Sequence, residues 1–198
     1  MIRLDMPQGS PEWIAARCGI PTASQFHRIL TAKTHKPSSA ADDYINELIA
    51  ESLLGASLDP YVSELMERGI EMQDQAHSYY EFQRDCTADL VGHCLTDDRR
   101  AGCSPDALVG DSGGLEIKCP TAKVHVSYMR GTPDKYTMQV QGALWITGRK
   151  WWDFLSFHPE LPPVLRRWTR KEEIIGKLYE AVTNFCKRLD DETQKIAA

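Results

Sequence analysis

The feature that most constrains the fold is a pair of short apolar runs joined by a glycine-rich turn. The runs are Ala107–Val109 and Leu115–Cys119, and the connection reads Gly110-Asp-Ser-Gly-Gly114. Strand-length apolar runs separated by Gly, Asp and Ser are typical of a β-hairpin. Because successive side chains of a strand point to opposite faces, Glu116 and Lys118 share one face while Ile117 points into the core. We therefore predict a β-hairpin whose second strand carries Glu116 and Lys118 as neighbours on its polar face.

The charged residues of this hairpin indicate hydrolytic chemistry on phosphodiesters. Asp106 follows Pro105 at the mouth of the first strand, opposite Glu116 and Lys118. Two carboxylates and the main-chain carbonyl of Ile117 supply the oxygen ligands that Mg²⁺ prefers, and Mn²⁺ can substitute for it. Lys118 can stabilise an attacking hydroxide or the charge of the transition state. The alternative interpretation is a turn followed by a solvated strand edge, because short motifs also occur by chance.

The rest of the chain predicts helices around a small sheet. Apolar spacing and terminator residues favour helices over Ala23–Leu30, from Asp42 as N-cap to Gly55, over Val62–Phe82, from Tyr136 to Gly148, and from Glu172 onward. The first of these begins with Thr22-Ala-Ser-Gln25, which has the form of a capping box. Further strands are predicted at Leu90–Leu95 and Trp151–His158. The fold class is therefore α/β, a small mixed central sheet flanked by helices, in a single domain over residues 1–198.

Charge and cysteine content narrow the partners and the compartment. The chain has 23 basic and 28 acidic residues, a formal net charge of −5, so any contact with DNA is expected to be local. The basic cluster Arg166, Arg167, Arg170 and Lys171 is predicted to be a solvated approach to a helix, with DNA-backbone contact as the alternative. The N-terminus lacks a signal-peptide core and no apolar run is long enough to cross a membrane, which predicts a soluble, intracellular protein.

The cysteines are expected to be reduced thiols. None of the six belongs to a Cys-x-x-Cys pair. Zinc binding by Cys86, His93 and Cys94 is an alternative, but their spacing matches no closed tetrahedral site, and burial in the core explains them more simply.

Several spaced motifs give the chain a family resemblance from Trp13 to about Pro159. They are Pro11-Glu-Trp-Ile-Ala-Ala-Arg17 followed by Ile20-Pro-Thr-Ala-Ser24, Gly102-Cys-Ser-Pro-Asp106, Leu115-Glu-Ile-Lys-Cys-Pro120, and Met138-Gln-Val-Gln141 with Trp145. In this order they resemble the PD-(D/E)xK nuclease superfamily, whose core has the restriction-endonuclease-like fold. The closer resemblance is to its phage lambda exonuclease and YqaJ-type viral recombinase branch.

This resemblance implies an activity and roles for particular residues. The expected enzyme is an Mg²⁺-dependent exonuclease that degrades one strand of linear double-stranded DNA from the 5′ end to mononucleotides. Asp106, Glu116 and the carbonyl of Ile117 would bind metal, Lys118 would serve the attacking water, and Gln139 would position the water or the lysine. Helical spacing agrees, since Gln139 shares a face with apolar residues and should point inward; a satisfied core glutamine is the alternative.

The resemblance also assigns recognition of the 5′-phosphate to Arg17 and Ser24. Ser24 falls in the first turn of the helix predicted to begin after Thr22, where free amides and the helix dipole attract phosphate. Arg17 can add a bidentate contact. A surface arginine and a helix-start serine remain the alternative.

One position departs from the family pattern. The family tends to have a glutamate four residues after the glycine of a segment like Glu67-Arg-Gly69, and here that position is Gln73. Gln73 brings no charge, so whether a second metal binds is an open question. Glu71 lies half a turn away on the helix and is not expected to replace the missing glutamate directly. Asp97 or Asp98 is a candidate auxiliary acid, with an exposed turn as the alternative.

The resemblance implies partners as well as rivals. A ring-shaped homotrimer around DNA, a single-strand annealing protein that receives the 3′ overhang, and a location in host cytoplasm are expected. The rival hypotheses are a structure-specific or restriction-type endonuclease on the same fold, and a non-catalytic module that binds DNA ends. Iron–sulfur nucleases fit less well, because only Cys186 follows Cys119.

Overall fold

The computed structural model describes residues 1–58, 64–131 and 133–197, and for 64–71 and 197 it describes the backbone only. The strands in this part of the chain are β1 (Ile2–Leu4), β2 (Ala88–Asp89), β3 (His93–Leu95), β4 (Gly102–Cys103), β5 (Ala107–Val109), β6 (Gly113–Lys118), β7 (Trp151–His158) and β8 (Leu161–Thr169). The α-helices are α1 (Pro11–Arg17), α2 (Ala41–Leu54), α3 (Glu64–Arg84), α4 (Ala122–Arg130), α5 (Thr137–Thr147) and α6 (Glu172–Ala197). Two 3-10 helices cover Ala23–Arg28 and Asp134–Tyr136.

The predicted hairpin lies inside the larger of two sheets. Strands β5 and β6 pair antiparallel, with Ala107 opposite Leu115 and Val109 opposite Gly113. The sheet has the order β2-β5-β6-β7-β8, and only β6 and β7 pair in parallel, across the crossover that contains α4 and α5. A smaller antiparallel sheet has the order β1-β3-β4. The predicted α/β class, with a small mixed central sheet flanked by helices, is confirmed.

The two faces of β6 have different environments. Leu115 and Ile117 are buried against Ala76 and Tyr80 of α3. Glu116 projects to the opposite face, where Gln139 of α5 meets it. This alternation, predicted from the sequence, is what directs the polar side chains into one place.

Two glycines allow β6 to lie close to the tryptophans of β7. A Cβ atom on Gly113 would lie 2.1 Å from the ring of Trp151, and one on Gly114 would lie 2.3 Å from the ring of Trp152. Trp152 is fully buried. The small residues of the hairpin therefore serve packing as well as the turn.

The predicted strand at Leu90–Leu95 is wrong as a single element. Only its second half, His93–Leu95, forms a strand, β3, and β2 ends just before it at Asp89 and belongs to the other sheet. At the break, a Cβ on Gly92 would lie 2.3 Å from the carbonyl oxygen of Met6, so the N-terminal segment passes directly over this point. A local apolar pattern cannot reveal such a crossing.

The helix starts also differ from prediction. The element after Thr22 is a 3-10 helix ending at Arg28, and the Thr22 side chain makes no capping bond, so the predicted capping box is wrong. Helix α2 begins at Ala41 rather than being capped by Asp42, which instead pairs with Arg188. The predicted stops are confirmed: Gly55 and Gly148 end α2 and α5 with φ of +63° and +68°. Helix α3 ends at Arg84, and residues 62 and 63 of its predicted start lie outside the described residues.

The basic cluster predicted to lead into a helix lies partly in a strand instead. Arg166 and Arg167 lie in β8, and Arg167 makes two hydrogen bonds of 2.8 Å to the buried carboxylate of Asp153. Arg170 pairs with Glu172 at the start of α6. No helix of the described residues is long and apolar enough to cross a membrane. The six cysteines all lie in the described part of the chain, and each has a free thiol there.

Candidate active site

Asp106 is held at the mouth of the hairpin by contacts to both of its carboxylate oxygens. The main-chain N–H of Ile117 donates to Oδ2 at 2.5 Å, and the side-chain amide of Gln73 donates to Oδ1 at 3.0 Å. The Asp106 N–H in turn donates to the carbonyl of Leu115 at 3.2 Å. Since N–H and C=O of one strand residue lie on the same side, the Ile117 carbonyl also faces this edge.

Glu116 and Lys118 are neighbours on one face of β6, as predicted. The Lys118 ammonium lies 2.5 Å from Glu116 Oε1. Gln139 Nε2 donates to the same oxygen at 2.6 Å, so the inward orientation expected for Gln139 is present. Glu116 is 4% exposed, whereas the Lys118 side chain is 30% exposed and reaches the protein surface.

The electrostatics of the site show an excess of buried negative charge. Burial and the charge of Glu116 raise the pKa of Asp106 to about 7, against the opposing effects of Lys118, the Ile117 N–H and Gln73. Burial alone would lower the pKa of Lys118, but the Glu116 and Asp106 carboxylates outweigh it and raise the pKa above its usual value. Lys118 is therefore a permanent cation, and the pair of acids is incompletely neutralised.

These residues fit a hard divalent cation. Two carboxylates and a peptide carbonyl are all oxygen donors, and an added positive charge would relieve the repulsion that raises the pKa of Asp106. No group of three or more His, Cys, Asp or Glu side chains is close enough to hold a metal in the described part of the chain, so the third protein ligand would be the Ile117 carbonyl. A cleft of about 730 Å³, lined in part by Gln73, His77 and Asp106, gives access.

Of the auxiliary residues predicted for the site, Gln73 contacts Asp106, whereas Asp97 and Asp98 lie in an exposed turn. Gln73 is brought to Asp106, but as a hydrogen-bond donor, so it adds no charge. Asp97 lies in the turn between β3 and β4, 85% exposed, and pairs with the N-terminal ammonium of Met1. Asp98 accepts hydrogen bonds from Thr96 and Arg100 in the same turn. The exposed-turn interpretation is therefore correct for both aspartates, and the Glu71 side chain lies outside the described residues.

Arg17 has an environment suited to an anion. Its guanidinium lies over the ring of Trp13, 3.8 Å from the centroid. Burial lowers the pKa of Arg17, with Tyr44 and Glu51 opposing this in part. No ion pair to a carboxylate is present for it among the described residues. Arg17 is thus a partly buried cation with no carboxylate partner among the described side chains.

Ser24 is exposed in the 3-10 helix, and its hydroxyl lies 3.2 Å from that of Thr22. The helix-dipole argument made for Ser24 is lost, because the element is a six-residue 3-10 helix. Tyr44 anchors this segment, because its hydroxyl accepts from the Thr22 N–H at 3.1 Å.

Sequence reasoning missed two groups beside these residues. Tyr136 lies with its ring centroid 5.5 Å from the Lys118 ammonium and packs against Phe154, with the two ring centroids 5.1 Å apart. His93 is fully buried and bonds Ser104 through Nδ1 at 2.9 Å. Cys94, the next residue, instead faces Cys103 across the smaller sheet, so the zinc alternative has no cluster among the described residues. The only sequence signal that could have pointed to the Ser104 contact is its position two residues before Asp106, with Pro105 between them.

Comparison with known proteins finds one matching family model and several similar solved structures. The family model of the YqaJ-like viral recombinase domain matches residues 12–150. The structure is similar to an alkaline exonuclease, LHK-Exo, from Laribacter hongkongensis, with TM-score 0.85 and 31% identity over 95% of this chain and 96% of that chain. The same enzyme in complex with dAMP matches with the same score and identity, over 94% and 96%.

A phage-related exonuclease from Haemophilus somnus 129PT shares the fold, with TM-score 0.70 and 15% identity over 89% of this chain and 96% of that chain. No curated protein matches the sequence. The family match covers more than half of the chain and spans the segments that build the carboxylate pair, the lysine and Arg17. The chain therefore belongs to the family of YqaJ-like viral recombinase domains.

Proposed function

We propose that the protein is an Mg²⁺-dependent exonuclease that degrades one strand of linear double-stranded DNA from its 5′ end. The observation that carries this proposal is that Asp106 accepts from the main-chain N–H of Ile117, while the residues on either side of Ile117, Glu116 and Lys118, pair with each other. The similarity to an alkaline exonuclease, which has been crystallised with dAMP, supports 5′-mononucleotides as the product.

Each residue of the site has a task in phosphodiester hydrolysis. Asp106, Glu116 and the Ile117 carbonyl would hold the cation, which when bound supplies Lewis-acid stabilisation of the phosphate charge. Lys118 remains protonated and donates hydrogen bonds to the attacking oxygen or to a phosphate oxygen. Gln139 would fix the Glu116 carboxylate by donating to Oε1, so that the other oxygen could serve as a ligand.

Arg17 and Ser24 would bind the 5′-phosphate of the end. The guanidinium on Trp13 can form two parallel hydrogen bonds to a phosphate, and Ser24 offers a hydroxyl donor from the neighbouring segment. A site of this kind selects an end rather than an internal position, which favours exonuclease action over the endonuclease alternative.

The wider assignment follows the family resemblance. We assign the protein to a phage-type recombination system in the host cytoplasm, where the 3′ overhang passes to a single-strand annealing protein. A homotrimeric ring would confine the basic contacts to its lining and leave a net-acidic exterior, in agreement with the charge of −5.

The test uses a 5′-phosphorylated linear duplex and a covalently closed circle of the same sequence, with Mg²⁺ or with EDTA. We expect mononucleotides from the linear duplex only, and only with the metal. Lys118→Ala should lower the rate about 100-fold or more while keeping DNA binding. Equal cleavage of the circle would instead indicate an endonuclease, and DNA-end binding without cleavage would indicate the non-catalytic module.

A further inference from the structure

Trp13 connects the proposed phosphate site to the loop that carries Asp106. One face of its indole supports the Arg17 guanidinium at 3.8 Å. Its Nε1–H donates to Ser104 Oγ at 3.1 Å and to the carbonyl of Gly92 at 2.9 Å. Ser104 is separated from Asp106 only by Pro105, whose ring fixes the backbone between them. Any movement of the Arg17–Trp13 stack is therefore felt within two residues of a proposed metal ligand.

His93 completes this connection. Trp Nε1–H can only donate, so Ser104 Oγ accepts from it and can direct its own hydroxyl hydrogen to His93 Nδ1, 2.9 Å away. The His93 ring is wholly buried, and its Nε2 has no hydrogen-bond partner within the described residues. An apolar side chain of similar size would avoid that cost. The presence of an imidazole is explained by what Nδ1 does at Ser104.

The ring of His93 cannot move independently of the strands around it. A Cβ on Gly102 would lie 2.2 Å from His93 Nε2, so the imidazole packs directly on the backbone of β4. The Gly102 N–H donates to the carbonyl of Pro21, at the start of the segment that carries Ser24. Burial and the charge of Arg17 lower the pKa of His93 to about 4, which keeps the ring neutral at neutral pH.

The other side of the loop is fixed separately. Gln8 donates to the carbonyl of Pro105 at 2.7 Å and to that of Val91 at 2.9 Å. Asp106 itself is held by Ile117, Gln73 and Leu115, and Gln8 holds Pro105, so the contact at Ser104 supports the loop on the side of the Arg17–Trp13 stack. That contact is made by Trp13 and His93 alone among the described side chains.

We propose that Trp13, Ser104 and His93 form a polar bridge through which a 5′-phosphate held at Arg17 improves the placement of Asp106. This inference rests on the proposed function. A bound phosphate restrains the guanidinium, the guanidinium restrains the indole, and the indole and imidazole together fix the Ser104 hydroxyl. Ser104 and His93 are thus positioning residues, and they make cleavage depend on the chemistry of the DNA end.

The experiment measures kcat and KM on linear duplexes that differ only in carrying a 5′-phosphate or a 5′-hydroxyl. Trp13→Phe keeps the ring under Arg17 but removes the N–H. His93→Leu removes both nitrogens, whereas His93→Asn keeps a polar atom near the position of Nδ1. We expect the preference for phosphorylated ends to fall about five- to ten-fold in Trp13→Phe and His93→Leu, mainly through kcat, as for the loss of one or two buried hydrogen bonds. His93→Asn should restore most of it.

Trp151 provides the matched control. It also carries a stacked arginine, with Arg167 at 3.6 Å from its ring, but it lies in β7. Trp151→Phe should leave the preference unchanged. Thermal melts of every variant separate folding defects from kinetic ones.

The outcomes are distinct. A proportional loss on both kinds of end, or an equal defect in His93→Asn and His93→Leu, would overturn the bridge while leaving the exonuclease proposal intact. Arg17→Ala with an undiminished preference for phosphate would also overturn it. A wild-type protein that cleaves neither duplex would overturn the proposed function and the bridge together.

Discussion

At the scale of single residues, Asp106 couples the site to folding stability. Its carboxyl has a pKa of about 7 because it is buried beside Glu116, whereas an unfolded aspartate titrates near 3.8. Between these values the folded protein retains a proton that the unfolded chain releases. The stability of the metal-free protein should therefore fall as pH rises from about 4 to 7, and the loss should be complete above that range.

Asp106→Asn removes this titration. In EDTA, we expect the melting temperature of the variant relative to wild type to rise between pH 5 and pH 8, measured by thermal denaturation. Asp97→Asn, at an exposed position, should show no such trend. Parallel pH curves for wild type and Asp106→Asn would contradict the assignment of an uncompensated buried acid.

A second residue-scale prediction concerns Gln73. Its amide already contacts Asp106 at 3.0 Å, so Gln73→Glu would add a third carboxylate to the site. We expect about ten-fold tighter Mn²⁺ or Mg²⁺ binding by calorimetry, because divalent affinity increases with ligand charge. Gln75→Glu, the same substitution at an exposed position of α3, is the control. Equal affinity in the two variants would show that Gln73 is not oriented toward the cation.

The predictable part of the site is the part set by strand alternation. Glu116 and Lys118 lie on one face of the strand and Ile117 on the other because the three residues are consecutive. This alternation can be predicted without knowledge of the rest of the molecule. The His93–Ser104 contact joins β3 to the residue that follows β4 and depends on the register of these two strands. Such a contact has no local signal, and it was not predicted.

At the scale of elements, α5 meets the 3-10 helix through a glycine. A Cβ on Gly142 would lie 2.5 Å from the ring of Phe26. Gly142→Ala should therefore force the 3-10 helix away from α5 and lower the free energy of unfolding by about 1–3 kcal/mol. The displacement would also move Ser24 and weaken any preference for phosphorylated ends.

Gly176 is the matched control for Gly142. It lies exposed in α6, and a Cβ atom added to it would meet no atom of the described residues within 4 Å. Gly176→Ala should raise the free energy of unfolding by about 0.5–1 kcal/mol, because alanine restricts the unfolded chain and suits a helix. Urea denaturation of the two variants measures both effects. A stabilised Gly142→Ala would contradict the close packing of α5.

The elements with a clear apolar pattern were predicted, whereas two others were missed for different reasons. Trp151–His158 and the helix ended by Gly148 agree with the structure. Strand β8 was missed because Pro162 and Pro163 argue against a strand, yet an edge strand tolerates proline on its open side. Helix α1 was also missed, although Ser10 caps it by accepting from the Trp13 N–H and Pro11 is its first residue.

At the scale of the whole molecule, the acidic charge sets a condition on how DNA is held. A chain of net charge −5 gains little from nonspecific attraction to DNA. The homotrimeric ring that the family resemblance implies, and that we propose above, would hold the DNA in spite of this charge. We expect light scattering at micromolar concentration to give three times the 22.4 kDa chain mass. A single-chain mass at every concentration would contradict the ring. The surfaces that would meet in such a ring depend on shape, which the sequence pattern does not encode.

The two-faced character of β6 also limits how the gene can change in length. An insertion or deletion of one codon within Gly113–Lys118 would shift the following side chains to the wrong face, placing Glu116 or Lys118 among the apolar neighbours of Ile117. The six-residue parallel register with β7 allows no compensating slip. Codons added to the turn at residues 110–112 leave both strands in register. Natural length variation in this region should therefore accumulate in the turn, which is also the suitable place to insert a reporter peptide.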